Sequence, residues 1–392
     1  MLPPVPSNHI LAVRPWPSRL AVVAAIAAGA LATTAADASA ASVTKGKPGV
    51  RVTVEQRALL VRGTRGDDTI ALRLRAGRPD ILEVDAGGGA GAGTQVERRL
   101  FDRILVDARG GADAVRIDDS NGAFTDAEPA TIDGGSGADT LLGGSGAERL
   151  VGGRGTDFVD GGAGADAAVL GAGDDVFRWD PGEGSDAVEG DAGHDVMRFN
   201  GANIGESFDV SANGQRVRFF RNVGNITMDL DGVEQIDTAA LGGADTLTQH
   251  DVSGTDLTSE NVDLAGAPGG TAGDGQPDSV VVVGTNGDDV ADIAGDAAAV
   301  GVNGVSAGVR IAHPESGDAL AVDALAGDDV IEASGLAAGT LRFSASGGDG
   351  DDVLIGSAGA DVLNGDAGDD VLIGGPGVDA LDGGPGDNVV VQ

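Results

Sequence analysis

An all-β fold, a parallel β-roll continuing into a less regular β-solenoid, is predicted for this chain by three features. Glycine and aspartate recur in a nine-residue register, as in GGDGDDVLI, GSAGADVLN, GDAGDDVLI, GGPGVDALD and GGPGDNVVV from Gly347 to Val391. The apolar set is small: 41% of the 392 residues are hydrophobic, but only 3% are aromatic, 68 are Gly and Tyr is absent. A thin, repetitive core fits that supply better than a deep globular one. Between the blocks, short alternations such as DDTIALRLR and ADAVRID have the period of half-buried strands.

The N-terminus comes first in the chain and is read as an export signal. Arg14 and Arg19 precede the apolar run Leu20 to Ala32, and small residues end at Ala38-Ser39-Ala40, which predicts a secretory signal cut after Ala40. The apolar run is short for a membrane span. No later segment is apolar enough to span, so a secreted, extracellular protein is expected.

The next segment, 41–133, carries isolated copies of a Gly-Asp loop, GTRGDD (Gly63 to Asp68) and ARGGAD (Ala108 to Asp113), each leading into a strand pattern. Irregular solenoid is expected there. The first regular block, 134–200, runs GGSGADTLL, GGSGAERLV, GGRGTDFVD, GGAGADAAV and LGAGDDVFR, and resumes after a two-residue insertion with PGEGSDAVE and GDAGHDVMR. A strand-rich connector is expected over 201–283, where Arg216, Arg218 and Arg221 interrupt apolar residues and ALGGAD (Ala240 to Asp245) appears once. A further irregular solenoid segment, 284–346, repeats the loop as GTNGDD and ALAGDD. The second regular block, 347–392, closes with Asn388 in place of aspartate, which reads as a cap. The order of loops in the two halves predicts an internal duplication.

The chemistry lies in the register. The glycine-rich part of each unit can turn and expose carbonyls, while the three residues after it extend and point one apolar side chain inward. Leu141, Leu150, Val159, Phe177, Leu354, Leu363, Leu372 and Leu381 hold that inward position. Two units make a coil, so acids eighteen residues apart stack at about 4.8 Å: Asp139 with Asp157, Asp157 with Asp175, Asp352 with Asp370, Asp361 with Asp379. Carboxylates so close repel unless a cation lies between them. Several calcium ions are predicted, because calcium takes six to eight hard oxygen ligands and tolerates irregular geometry, whereas magnesium wants a tight octahedron. The candidate metal ligands are Asp139, Asp157, Asp166, Asp175, Asp186, Asp195, Asp352, Asp361, Asp370 and Asp379. Glu148, in place of aspartate, and Ala168, in place of a bulky residue, mark units expected to bind weakly.

The unit G-G-x-G-x-D-x-U-x, with U bulky and apolar, resembles the RTX or haemolysin-type calcium-binding repeat over Gly134 to Gly201 and Gly347 to Gln392. The resemblance implies a roll that stays unfolded without calcium and folds on meeting it outside the cell. An affinity of the extracellular type, roughly 10⁻⁴ to 10⁻³ M, is expected.

Charge and composition narrow the function. The net charge is −37, and loss of the signal leaves 23 basic against 61 acidic side chains. That disfavours nucleic acid and anionic membranes and favours cations. Without cysteine there is neither a disulfide nor a thiolate metal site. No H-E-x-x-H occurs, which speaks against a metalloprotease. His194, His250 and His313 read as surface or core residues. The cytolysins of the resembled family imply acylated internal lysines, whereas here Lys45 and Lys47 stand near the mature start. The expectation is a calcium-binding protein without catalysis, structural, cell-surface or adhesive, with a surface or matrix polysaccharide as a partner. The alternative is a calcium-dependent polysaccharide-active enzyme of lyase or epimerase type.

Overall fold

A computed structural model describes residues 49–87 and 93–392. The signal reading of residues 1–40 lies outside the described residues. Among the described residues there is no α-helix, only three short 3-10 turns, and no helix long and apolar enough to cross a membrane.

Strands alternate between two sheets as the chain coils. One sheet holds 16 strands, running from Arg51–Glu55 to Ala380–Asp382. Within the nonapeptide blocks the pairing is parallel and in register, for example Phe158↔Val176 with Val159↔Phe177, and Val353↔Val371 with Leu354↔Leu372. Parallel strands stack because each coil returns the chain to the same starting point one strand spacing further on. The all-β solenoid expected from the register is the fold.

The core is the seam between the sheets, filled by one inward side chain after another. Leu141, Leu150, Val159, Phe177, Leu354, Leu363 and Leu372 are fully buried, and Leu381 packs partly buried against them at the last coil. Ala168 is also buried, so the small residue narrows the coil without opening it. Four of the aromatics gather at one place. Trp179 stacks on Phe199 with centroids 4.2 Å apart, and Phe208 and Phe219 pack against that pair. They fill the seam where the first regular block meets the next segment.

Three times the coil is interrupted by an antiparallel meander of three strands. The first is Thr69–Arg75, Arg78–Ala86 and Thr94–Glu97. The second is Ser207–Asn213, Arg216–Arg221 and Ile226–Asp231. The third is Val290–Asp296, Ala299–Asn303 and Gly308–Ala312. In the second and third, the first and last strands pair in parallel with the coils on either side, so the meander widens a sheet without ending the solenoid.

The segment Phe199 to Asp237, read from sequence as a connector outside the duplication, thus contains a third copy of the arrangement seen after GTRGDD and GTNGDD. Its loop carries Glu206 where the others carry Asp68 and Asp289. In all three, the acid accepts the N–H of the residue four before it, Thr64, Ala202 or Thr285, at 2.6 Å. The aspartate-to-glutamate change and the arginine-rich strands conceal the likeness in the sequence.

Candidate metal centre

The sixth residue of each unit sits at a corner of the coil, where the loop turns into a strand. Its carboxylate reaches back along the solenoid: Oδ1 accepts the backbone N–H of the equivalent residue in the preceding coil. One run of such bonds links Asp68 to Asp113, Asp139, Asp157, Asp175, Asp195 and Glu234, at 2.7 to 2.9 Å. A second links Glu148 to Asp166 and Asp186. A third passes from Glu206 through Asp245 and Asp278 to Asp318. The second regular block continues a run from Asp289 through Asp329, Asp352 and Asp370 to Asn388, and a separate pair joins Asp361 to Asp379. Every stacking pair expected from the eighteen-residue spacing is therefore adjacent.

The runs also bridge separations of 39 to 45 residues, because the meanders are excursions that leave and rejoin the same corner. Asp113, Asp245 and Asp329, in loops outside the regular blocks, join the candidate set in this way. Sequence reasoning did not assign them. The signal that identifies them was present, the Gly-x-Asp ending shared by ARGGAD, ALGGAD and ALAGDD.

The second carboxylate oxygen divides the loops into two kinds. In the first kind it is buried with no hydrogen-bond partner, as in Asp113, Asp139, Asp166, Asp175, Asp186, Asp195, Asp245, Asp329, Asp352 and Asp370. In all of these the residue four before the acid has positive φ, which turns its N–H away from the carboxylate: among them Gly135 at +98°, Gly348 at +105°, and, with a side chain, Arg109, Asp191, Leu241, Leu325 and Asp366 at +66° to +81°. A left-handed backbone costs a non-glycine residue roughly 1 kcal/mol, so its recurrence at this one loop position points to a specific demand. In the second kind the same oxygen is filled from within. Glu148 and Asp361 accept the N–H of Gly144 and Ser357 at 2.8 and 2.6 Å, as the three meander loops do; Asp361 also takes the Ser357 hydroxyl at 2.6 Å, whereas Oε1 of Glu148 stays buried without a partner. Asp379 accepts from Gln392 at 3.0 Å.

Burial shapes the electrostatics. Desolvation, offset in part by the N–H bond and reinforced by neighbouring acids, pushes the Asp113, Asp245 and Asp352 carboxyls up to about 6, Asp186 and Asp195 to about 7 and Asp166 to about 9. Asp139, Asp175 and Asp329 are raised for the same leading reason. Such a corner holds an anion poorly unless a positive charge joins it.

Two positions carry their own donor in place of a cation. At Glu206 the guanidinium of Arg221 pairs with the carboxylate, both side chains being buried, and lies 5.2 Å over the Trp179 ring. At the last unit Asn388 replaces aspartate. Its Oδ1 keeps the ladder bond from Asp370 at 2.7 Å, and its Nδ2 donates to the carbonyls of Gly383 and Gly384 at 2.7 and 3.1 Å. An amide nitrogen thus points at loop carbonyls where aspartate would present an oxygen, placing acceptor against acceptor. Oxygen facing oxygen in a buried corner is a donor set for a hard cation, and calcium fits it.

A model of the RTX calcium-binding nonapeptide repeat matches residues 131–147, 142–177, 182–202, 346–381 and 355–390, which are the two regular blocks. No curated protein matches the chain. Among solved structures, the crystal structure of the extracellular lipase LipA from Serratia marcescens is matched at 14% identity with a TM-score of 0.18. The match covers 56% of this chain and 43% of that one. The loops of the regular blocks, with their laddered and half-satisfied aspartates, are RTX calcium-binding repeats.

Proposed function

We propose that this chain is a secreted protein whose rolls and meander corners fold around several calcium ions outside the cell, and that it serves there as a structural or cell-surface element without catalysis. The observation that carries the reading is the orphaned second oxygen of the corner aspartates, together with the two corners where the Arg221 guanidinium and the Asn388 amide supply a donor instead. Asp139, Asp157, Asp166, Asp175, Asp186, Asp195, Asp352 and Asp370 would hold the ions in the regular blocks, and Asp113, Asp245 and Asp329 in the irregular ones. Asp361 and Asp379, candidates on spacing alone, have internal partners and rank below the rest.

The coupling is physical. With its corners ionised and empty, each coil carries buried unsatisfied acceptors costing about 1–3 kcal/mol apiece, against a core one side chain thick. Metal binding removes the cost, so binding free energy becomes folding free energy. The test is a calcium titration of the chelated mature chain, followed by far-ultraviolet circular dichroism and Trp179 fluorescence, with magnesium as control. A cooperative gain of β signal and a blue shift with calcium alone is expected. A fully formed β signal in chelator at neutral pH, unmoved by calcium, refutes the reading.

A further inference from the structure

The outward face of the second sheet carries a trough that the calcium chemistry leaves unused. It has a volume of about 550 Å³ and is lined by residues of four neighbouring strands. That volume falls within the range of roughly 300–1,000 Å³ typical of small-ligand sites. Four side chains stand in one cross-strand row: Arg198 opposite Asp237, Asp237 opposite Asn261, Asn261 opposite Arg310. At about 4.8 Å per strand, the two arginines rise from backbone positions roughly 14 Å apart. The next row along the strands is lower, because Ala239 and Ala312 flank Asp263 there.

The acids of the trough are already compensated. Asp237 accepts from the side-chain amides of Gln235 and Asn261 at 2.7 and 2.8 Å. Asp263 accepts the backbone N–H of Ala265 at 3.0 Å and pairs with His313 Nδ1 at 2.7 Å. The arginines are less so. Arg198 forms only a long ion pair with Asp237, at 3.8 Å, beyond hydrogen-bond distance. Arg310 is exposed, and its cross-strand neighbours are Asn261 and Gly301, neither of them an acid. In a chain with 62 acidic and 25 basic residues, an arginine left without an acid beside it is unexpected on charge grounds alone. Gln235 and Asn261 donate to Asp237 through nitrogen, which leaves their carbonyl oxygens to accept.

We propose that this trough binds a carboxylated saccharide, with Arg310 and Arg198 taking carboxylates and the oxygens of Gln235 and Asn261 accepting sugar hydroxyls. Two cations at the ends of a row of acceptors match a ligand that alternates carboxylates and hydroxyls better than a bare anion or a neutral sugar. The protein's overall negative charge opposes such a ligand at long range, but screening over about 8 Å at physiological salt leaves the local donors to decide recognition. The proposal deepens the surface role above, and it rests on the calcium reading only for an ordered sheet.

The test uses the full mature chain saturated with calcium, its folded state verified by Trp179 fluorescence, and titrates it by calorimetry with trigalacturonate, maltotriose and citrate. Trigalacturonate is expected to bind, Arg310→Gln to weaken that binding at least about tenfold, the loss expected for a charge-assisted pair, and Arg154→Gln, on the other sheet, to leave it unchanged. Equal binding of maltotriose, equal binding of citrate, or an Arg310→Gln variant as tight as the parent overturns the assignment. A chain that does not fold with calcium refutes the preceding section instead.

Discussion

Replacing Asp352 with asparagine tests the metal reading at a single corner. In the parent, Oδ1 of Asp352 accepts the Asp329 N–H at 2.8 Å, and Oδ2 is buried without a partner. Asparagine keeps the first bond and turns the second oxygen into a donor, the exchange already present at Asn388, whose Nδ2 reaches the Gly383 carbonyl at 2.7 Å. Burial raises the Asp352 carboxyl from 3.8 to about 6. At about 1.4 kcal/mol per unit, the ionised group costs the calcium-free protein at most about 3 kcal/mol at neutral pH, and solvent near the loop reduces that to about 1–2 kcal/mol. The sign follows from the raised value. The folded state holds the proton more tightly, so the calcium-free parent loses stability as pH rises from about 4 through about 6, and the variant does not. The chelated Asp352→Asn protein should therefore unfold at higher urea than the chelated parent at pH 7.5, and the two should converge near pH 4. With calcium the order should reverse, and calorimetry should count fewer ions. If the asparagine variant is less stable than the parent in chelator, or binds as many ions, Asp352 is not a ligand and the argument from orphaned oxygens fails.

The same accounting separates the two kinds of corner: Asp361→Asn should leave the number of bound ions unchanged by calorimetry, whereas Asp370→Asn should lower it, because only Asp370 has an unpartnered oxygen. Acidifying the chelated parent from pH 7.5 to 4.5 should restore β signal without metal, since Asp113, Asp245 and Asp352 take up protons near 6 and Asp186 and Asp195 near 7; a flat dichroism profile would count against the raised values. Arg221→Ala should destabilise the calcium-loaded protein by about 3–5 kcal/mol in urea, by stranding the buried Glu206 carboxylate, and Glu206→Gln added to it should recover much of the loss. Gly155→Ala should cost at least about 3 kcal/mol or abolish the first roll, since Gly155 has φ of +122° and a Cβ there would strike the Gly137 carbonyl of the coil below. Normal Trp179 fluorescence in that variant would refute it.

Periodicity made the regular blocks legible. A residue type repeated every nine positions, with glycine on one side and Leu or Val on the other, admits few backbones, because the same turn must recur and the same side chain must point inward. Hence the stacked pairs Asp139 with Asp157 and Asp352 with Asp370, and the buried Leu141, Leu354 and Leu372, could be named from spacing alone. The second meander could not. Glu206 hides its loop, and cross-strand pairing over 39 residues leaves no local pattern in the chain.

What the amino-acid order by itself determined was therefore the coil, its inward residues and the kind of ion its corners would attract. The tertiary structure alone decided which corners need that ion. Asp361 and Asp370 occupy the same place in their units, but Ser357 turns its N–H onto one carboxylate while Asp366, at φ +66°, turns its own away from the other. That difference is one of backbone direction, and backbone direction is settled only when neighbouring coils pack and claim their hydrogen bonds. The Arg198 to Arg310 row is of the same kind, since its members lie in four separate strands and become neighbours only where the sheet aligns them.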